Sequence, residues 1–216
     1  MSDLAQERAL GDWLAKGWRC IGQIAIECRD DGAFGLTHRE DAARDDLKIE
    51  REPNAGIKLA RFDDEGIYRP LKTAPTLRHG WKLIVENLTA LRAALDLFYP
   101  GRIAAMLAFE TGELRTTPFH ETLARQSGMY RVAAQIGDEQ ADDLIGNFCR
   151  SDSGCLRTIL WRRDQNGTAP STKLAPQKFE PTHDQTGMSA PVIPLLCQEA
   201  CNLLVAEARR VVQENR

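Results

Sequence analysis

Two close pairs of cysteines constrain this chain more than any other feature. Cys149 and Cys155 stand in FCRSDSGCLRTILW with five residues between them, and Cys197 and Cys201 stand in LLCQEACNLL with three. Between the pairs, from Asp164 to Pro194, hydrophobic periodicity disappears. Pro170, Pro176, Pro181, Pro191 and Pro194 break up any helix or central strand there. A stretch of that length without regular structure is either disordered or functional. If the four thiols serve one site, the fold must close this stretch into a loop.

The thiols are not needed as cross-links. A chain of 216 residues buries roughly 70% of its unfolded surface and holds together without disulfides. The opening MSDLAQERALGDWLAKGW carries acids early and has no apolar core, unlike a secretory signal. No run approaches the ~18 apolar residues of a membrane span. The expected address is cytoplasmic, with no membrane contact, and there thiols stay reduced. Metal ligation or plain burial then accounts for the six cysteines. A net charge of −3 argues against a general nucleic-acid binder.

The spacing narrows the chemistry without choosing it. If LLCQEACNLL is helical, Cys197 and Cys201 lie one turn apart on one face. RSDSG between Cys149 and Cys155 is a polar turn-forming segment that can fold both sulfurs toward one point. Four converging thiolates suit zinc or an iron–sulfur cluster. Structural zinc sites usually show C-x2–4-C in both halves, and C-x5-C is wide for a knuckle. The ferredoxin C-x2-C-x2-C run is missing too. Burial as small hydrophobes stands beside both readings.

Elsewhere the pattern is mixed. Residues 3–18 have helical spacing, with Leu10, Trp13, Leu14 and Trp18 near one face. Ile24, Ile26 and Cys28 alternate before Asp31-Gly32, a hairpin signal. IKLARFDDEGIYRPL reads as a second hairpin turning at Asp64-Glu65-Gly66. ENLTALRAALDLFYPG is a helix with Leu88, Leu91, Leu95 and Phe98 on one side, stopped at Pro100-Gly101. Further on, Thr117 caps a helix with Pro118 first, GMYRVAAQI reads as a strand, and GDEQADDLIGNFC reads as a helix capped at Asp138. The last helix is expected from Leu195 or Gln198 to about Gln213.

Other reactive residues receive plainer readings. Cys28 shares a strand face with Ile24 and Ile26, so it and Cys20 are expected to be buried. His38, His79, His120 and His183 are scattered, without HExxH, and none is assigned to metal. Lys72, Arg78 and His79 make the loop around residues 69–81 basic, fit either for an acidic partner or simply for solvent. Arg125 and Arg131 flank QSGMY, and Trp161 follows the first cysteine pair as core or shielding. GxGxxG, Walker A and GxSxG motifs are missing, and the Asp pairs read as caps or solvated surface.

YRPLKTAPTLRHGW, ALDLFYPG, RQSGMYR, CRSDSGCLRTILW and CQEACNLL, in that order, resemble the paired C-terminal modules of bacterial multidomain proteins built around CbiX-like sirohydrochlorin chelatase domains. The resemblance runs from about Gly11 to Arg210. It implies an α+β protein: a small sheet-and-helix stabilising module over residues 1–100, packed on a mainly helical cluster-binding module over 101–216. It implies a [4Fe–4S] cluster held by Cys149, Cys155, Cys197 and Cys201, with zinc as the alternative. Gln198 stands where the family is expected to have proline, which removes no ligand. These 216 residues hold no chelatase module, so chelatase activity is not carried over. The expected role is an electron-transfer, redox or accessory protein linked to tetrapyrrole metallation, with a CbiX-like chelatase or a redox protein as partner. The alternatives are a structural zinc interaction module and an enzyme using the cluster beside the 69–81 loop.

Overall fold

The computed structural model describes residues 2–52, 54–61, 77–114, 117–145, 158–159, 161–162, 192–193, 195–197 and 199–214. The fold is α+β, and the chain divides into two compact units. The first runs to Gly112 and takes back a strand at Val192–Ile193. The second starts at Glu113 and includes the chain from Leu195 onward.

The first unit opens with helix α1 (Asp3–Ala15), capped by Ser2, whose Oγ accepts the Ala5 N–H. Leu10, Trp13 and Leu14 are buried, and Trp18 stacks on Trp13 with ring centroids 6.3 Å apart. Three antiparallel strands follow: β1 (Cys20–Ile21), β2 (Ile24–Cys28) and β3 (Phe34–His38). The β2–β3 turn lies at Asp31-Gly32, as the sequence suggests. Asp31 accepts the Ala33 N–H at 3.1 Å, and Gly32 has φ +82°, which favours glycine.

Strand β4 (Lys48–Glu50) runs parallel to β5 (Trp81–Val85), which pairs antiparallel with β3. Strand β9 (Val192–Ile193) lies parallel to β1, with Cys20 opposite Val192. The six-stranded order is β4-β5-β3-β2-β1-β9. Cys20 is buried, but Cys28 is exposed. The strand does not alternate: Ile24, Ala25 and Ile26 are all buried, while Glu27 and Cys28 at its end are exposed, beyond that apolar cover.

Helices α2 (Ala55–Arg61), α3 (Leu88–Phe98) and α4 (Arg102–Glu110) complete the unit. Asn87 caps α3, accepting the Ala90 N–H at 2.9 Å, and Leu91, Ala94, Leu95 and Phe98 face inward. The Trp81 ring of β5 stacks on Phe98, centroids 5.3 Å apart. The expected hairpin arm at 57–61 is a helix instead. Gly56 and Ala60, one turn apart, form a small-residue face, and Gly56 lies against Leu97 and Phe98 of α3. The other expected arm and its turn fall outside the described residues. Helix α4 buries Ile103 and Met106 in this unit, so the division comes after α4 and not at residue 100.

The second unit contains helices α5 (Phe119–Ala124), α6 (Tyr130–Ala133), α7 (Asp138–Asp143) and α8 (Asn202–Glu214). Two short parallel pairs accompany them: β6 (Thr117–Pro118) with β8 (Trp161–Arg162), and β7 (Thr158–Ile159) with β10 (Leu196–Cys197). Its core joins Phe119 and Leu123, Met129 and Ala133, Ala141, Leu144 and Ile145, and Leu204, Ala208 and Val212.

Three local expectations change here. GMYRVAAQI is helical over Tyr130–Ala133 and not a strand, with Met129, Ala133 and Ile136 turned to the core at near-helical spacing. Thr117 belongs to β6, so α5 starts after Pro118. Gly137, not Asp138, precedes α7, and the Gln140 side chain accepts the Gly137 N–H at 2.9 Å. Among the described residues, no helix is long and apolar enough to cross a membrane.

Candidate functional site

The second cysteine pair is not on one helix face. Cys197 is the last residue of β10, whereas Cys201 immediately precedes α8. Leu195–Cys197 runs extended because β10 pairs with β7, and this tertiary pairing overrides the helical pattern of LLCQEACNLL. Cys201 then acts as the residue that starts α8. Its carbonyl accepts the Val205 N–H at 2.9 Å, and its Sγ accepts the Leu204 N–H at 3.5 Å. The sulfur is half-buried and lies against the core of the second unit.

Cys149 and Cys155 lie outside the described residues. The described residues nearest to them in sequence are Ile145 before the pair and Thr158 after it. Leu144 and Ile145, five and four residues before Cys149, are buried in the same core that Cys201 touches. Ile159, four residues after Cys155, lies directly opposite Cys197 in the β7–β10 register. Paired strands run about 4.8 Å apart. The chain on both sides of the first pair is therefore anchored beside the elements that carry the second.

The donor set fits an iron–sulfur cluster. Sulfur ligands suit such a centre, and the Leu204 N–H supplies the type of N–H···S bond that tunes it. Nearby, Arg209 of α8 donates to Met129 Sδ at 3.2 Å and to Ser127 O at 3.3 Å, holding RQSGM against the helix. Arg125 pairs with Glu121, and Arg131 lies over the Tyr130 ring, 5.4 Å from its centroid. His120 Nε2 lies 2.7 Å from Ile136 O, a bond within the unit.

A second cluster of chemistry lies in the first unit, where the sequence reading assigned none. His38, Asp41 and His79 each bring one potential ligand atom to within 4.8 Å of the others. His38 ends β3, Asp41 lies on the 3-10 turn Arg39–Asp41, and His79 precedes β5, the strand beside β3. His38 and Asp41 are 1% and 3% exposed. Burial works against an ionised Asp41. The Gly80 N–H, Arg44 and His79 outweigh it and hold the carboxyl below its usual range. Burial, and then His79, push the His38 imidazole below the usual histidine range. The sequence reading left the histidines scattered and did not single out Asp41. Only the β3–β5 pairing shows that His79 joins His38 and Asp41, so His79 is not an open member of the basic loop. Arg78 is exposed, and Lys72 lies outside the described residues.

Comparison with known proteins covers both units. A crystal structure of DR2241 from Deinococcus radiodurans superposes with a TM-score of 0.66 at 29% identity over 98% of this chain. That protein is described as a multi-domain protein with structural similarity to chelatases and two additional novel domains, and this chain spans 42% of its length. No curated protein matches. Residues 7–110 match the DR2241 stabilising domain, and residues 111–210 match the 4Fe-4S iron-sulfur cluster binding domain. The two matches abut at residues 110 and 111, so the chain is similar to a DR2241 stabilising domain followed by a 4Fe-4S iron-sulfur cluster binding domain.

Proposed function

We propose that the second unit binds one [4Fe–4S] cluster through Cys149, Cys155, Cys197 and Cys201, and that the protein serves as a redox or accessory partner in tetrapyrrole metallation. The β7–β10 register carries the ligand reading, because it sets Cys197 beside the chain that leaves Cys155, while Cys201 sits at the start of α8. When bound, such a cluster supplies one-electron transfer. Four protein thiolates leave no iron open to substrate, which favours electron transfer over substrate chemistry at iron. The tetrapyrrole link rests on the chelatase-like description of DR2241, and we assign the chelatase role to a partner.

Anaerobic purification with iron, sulfide and zinc analysis tests the ligand reading. The expected result is a brown protein with about four iron and four sulfide per chain. A colourless protein with one zinc supports the structural zinc module instead. Recovery of a chelatase or redox protein with the tagged chain tests the partner. Turnover of a tetrapyrrole by the purified chain alone overturns the accessory role.

A further inference from the structure

We propose that His38, Asp41 and His79 form a second metal site, in the stabilising domain, that takes a divalent transition cation of the zinc class. Two imidazoles and a carboxylate make a donor set used for zinc and related ions. The three are drawn from a strand end, a turn and the approach to a neighbouring strand, yet their ligand atoms converge within 4.8 Å. Both His38 and Asp41 are almost fully buried.

An independent observation points to a ligand. His38 Nε2 is buried and has no hydrogen-bond partner, and an unpartnered buried polar atom is costly. The other ring nitrogen, Nδ1, accepts the Glu40 N–H at a long 3.3 Å. Ligation at Nε2 moves the ring proton to Nδ1. A weak hydrogen bond is then exchanged for a metal bond, and Nε2 is no longer an orphan. The His38 and His79 rings lie 3.9 Å apart between centroids, tilted by 49°.

The surroundings of Asp41 are those of a braced metal ligand. Its Oδ2 accepts the Gly80 N–H at 2.7 Å, and its Oδ1 accepts from Arg44 at 3.1 Å. Bonds of this kind fix a ligating carboxylate in place. His79 Nδ1 lies 3.4 Å from Asp41 Oδ1, and its Nε2 lies 3.9 Å from Glu40 Oε2. Three protein ligands leave a coordination position for water or for Glu40. The competing account is a purely structural hydrogen-bond hub in which Asp41 ties the turn to Gly80.

Cobalt(II) distinguishes the two, because its spectrum reports the ligand type. Cluster-loaded protein is equilibrated with cobalt(II), desalted and analysed for cobalt, iron and sulfide. The expected result is about one retained cobalt per chain, with ligand-field bands and no thiolate charge-transfer band, at unchanged iron and sulfide content. His79→Ala and Asp41→Asn should lose the cobalt and keep the cluster, while Arg78→Ala should retain both. The His79 side chain is one-third exposed, so its variant remains decisive if His38→Ala fails to fold. Cobalt absent from the wild type, retained equally by His79→Ala, or showing a thiolate band overturns the proposal. Because iron and sulfide are read separately, failure here is distinct from failure of the cluster assignment.

Discussion

The indole of Trp13 donates to both carboxylate oxygens of Glu110, at 3.1 and 3.0 Å, joining the first helix of the stabilising domain to its last. Trp13 is 1% exposed, so removing the acceptor leaves a buried N–H without its partner. Glu110→Ala should destabilise the protein by about 1–3 kcal/mol. Glu110→Gln, which keeps an acceptor, should cost less. Denaturant unfolding of the two variants checks the order. Equal loss in both would mean that the charge, not the acceptor, is what matters.

The ligand assignment makes an asymmetric prediction. Cys149→Ser and Cys201→Ser should sharply reduce iron and sulfide content, whereas Cys28→Ser, at the exposed end of β2, should leave both unchanged. Metal analysis of anaerobically purified variants decides it. The same iron content in all three sinks the assignment.

Cluster removal should act first on the start of α8. The Leu204 and Val205 amides are bonded to Cys201, through Sγ and carbonyl respectively. Metal binding couples to folding, so apo protein should lose protection there before α3 changes. Hydrogen exchange of apo and holo protein, read over residues 202–214, is the measurement. Unchanged protection would mean the cluster plays no structural part.

Gly56 makes a packing prediction in which two effects oppose. Alanine would add helix propensity worth about 0.5–1 kcal/mol. Its Cβ would also stand 3.3 Å from Leu97 Cδ1 and 3.4 Å from Phe98 Cε2, so the α2–α3 contact must give slightly. Gly56→Ala should therefore be near neutral. Gly56→Leu should destabilise by about 1–3 kcal/mol through overpacking. Thermal unfolding checks both, and a tolerated leucine would disprove the close approach.

Helix α1, the β2–β3 hairpin and α3 were legible because each repeats its apolar residues at one period, and because Asp31-Gly32 and Pro100-Gly101 mark their ends. Residues 57–61 and 128–136 were misread as strands. In short apolar runs alternation and helical spacing are hard to separate, and what decides is the neighbour: α3 for Gly56, the second core for Met129 and Ala133. LLCQEACNLL failed for the same reason. Its local pattern is helical, but pairing with Thr158–Ile159 holds its first part extended. The cysteines themselves were visible as residue types. The meeting of His38 with His79 was not, because it depends on which strands are neighbours.

Strand β9 has a consequence for how this protein can be divided. The sixth strand of the stabilising sheet comes from residues 192–193, which follow most of the cluster-binding sequence. A fragment ending at Gly112 would leave the Cys20–Ile21 edge bare, with unpaired backbone groups that invite strand addition and aggregation. The sheet also cannot be completed on the ribosome until residues 192–193 have emerged, a long-range closure that slows folding. Each unit is thus interrupted by the other in sequence, and the first cannot be finished without chain that lies beyond most of the second.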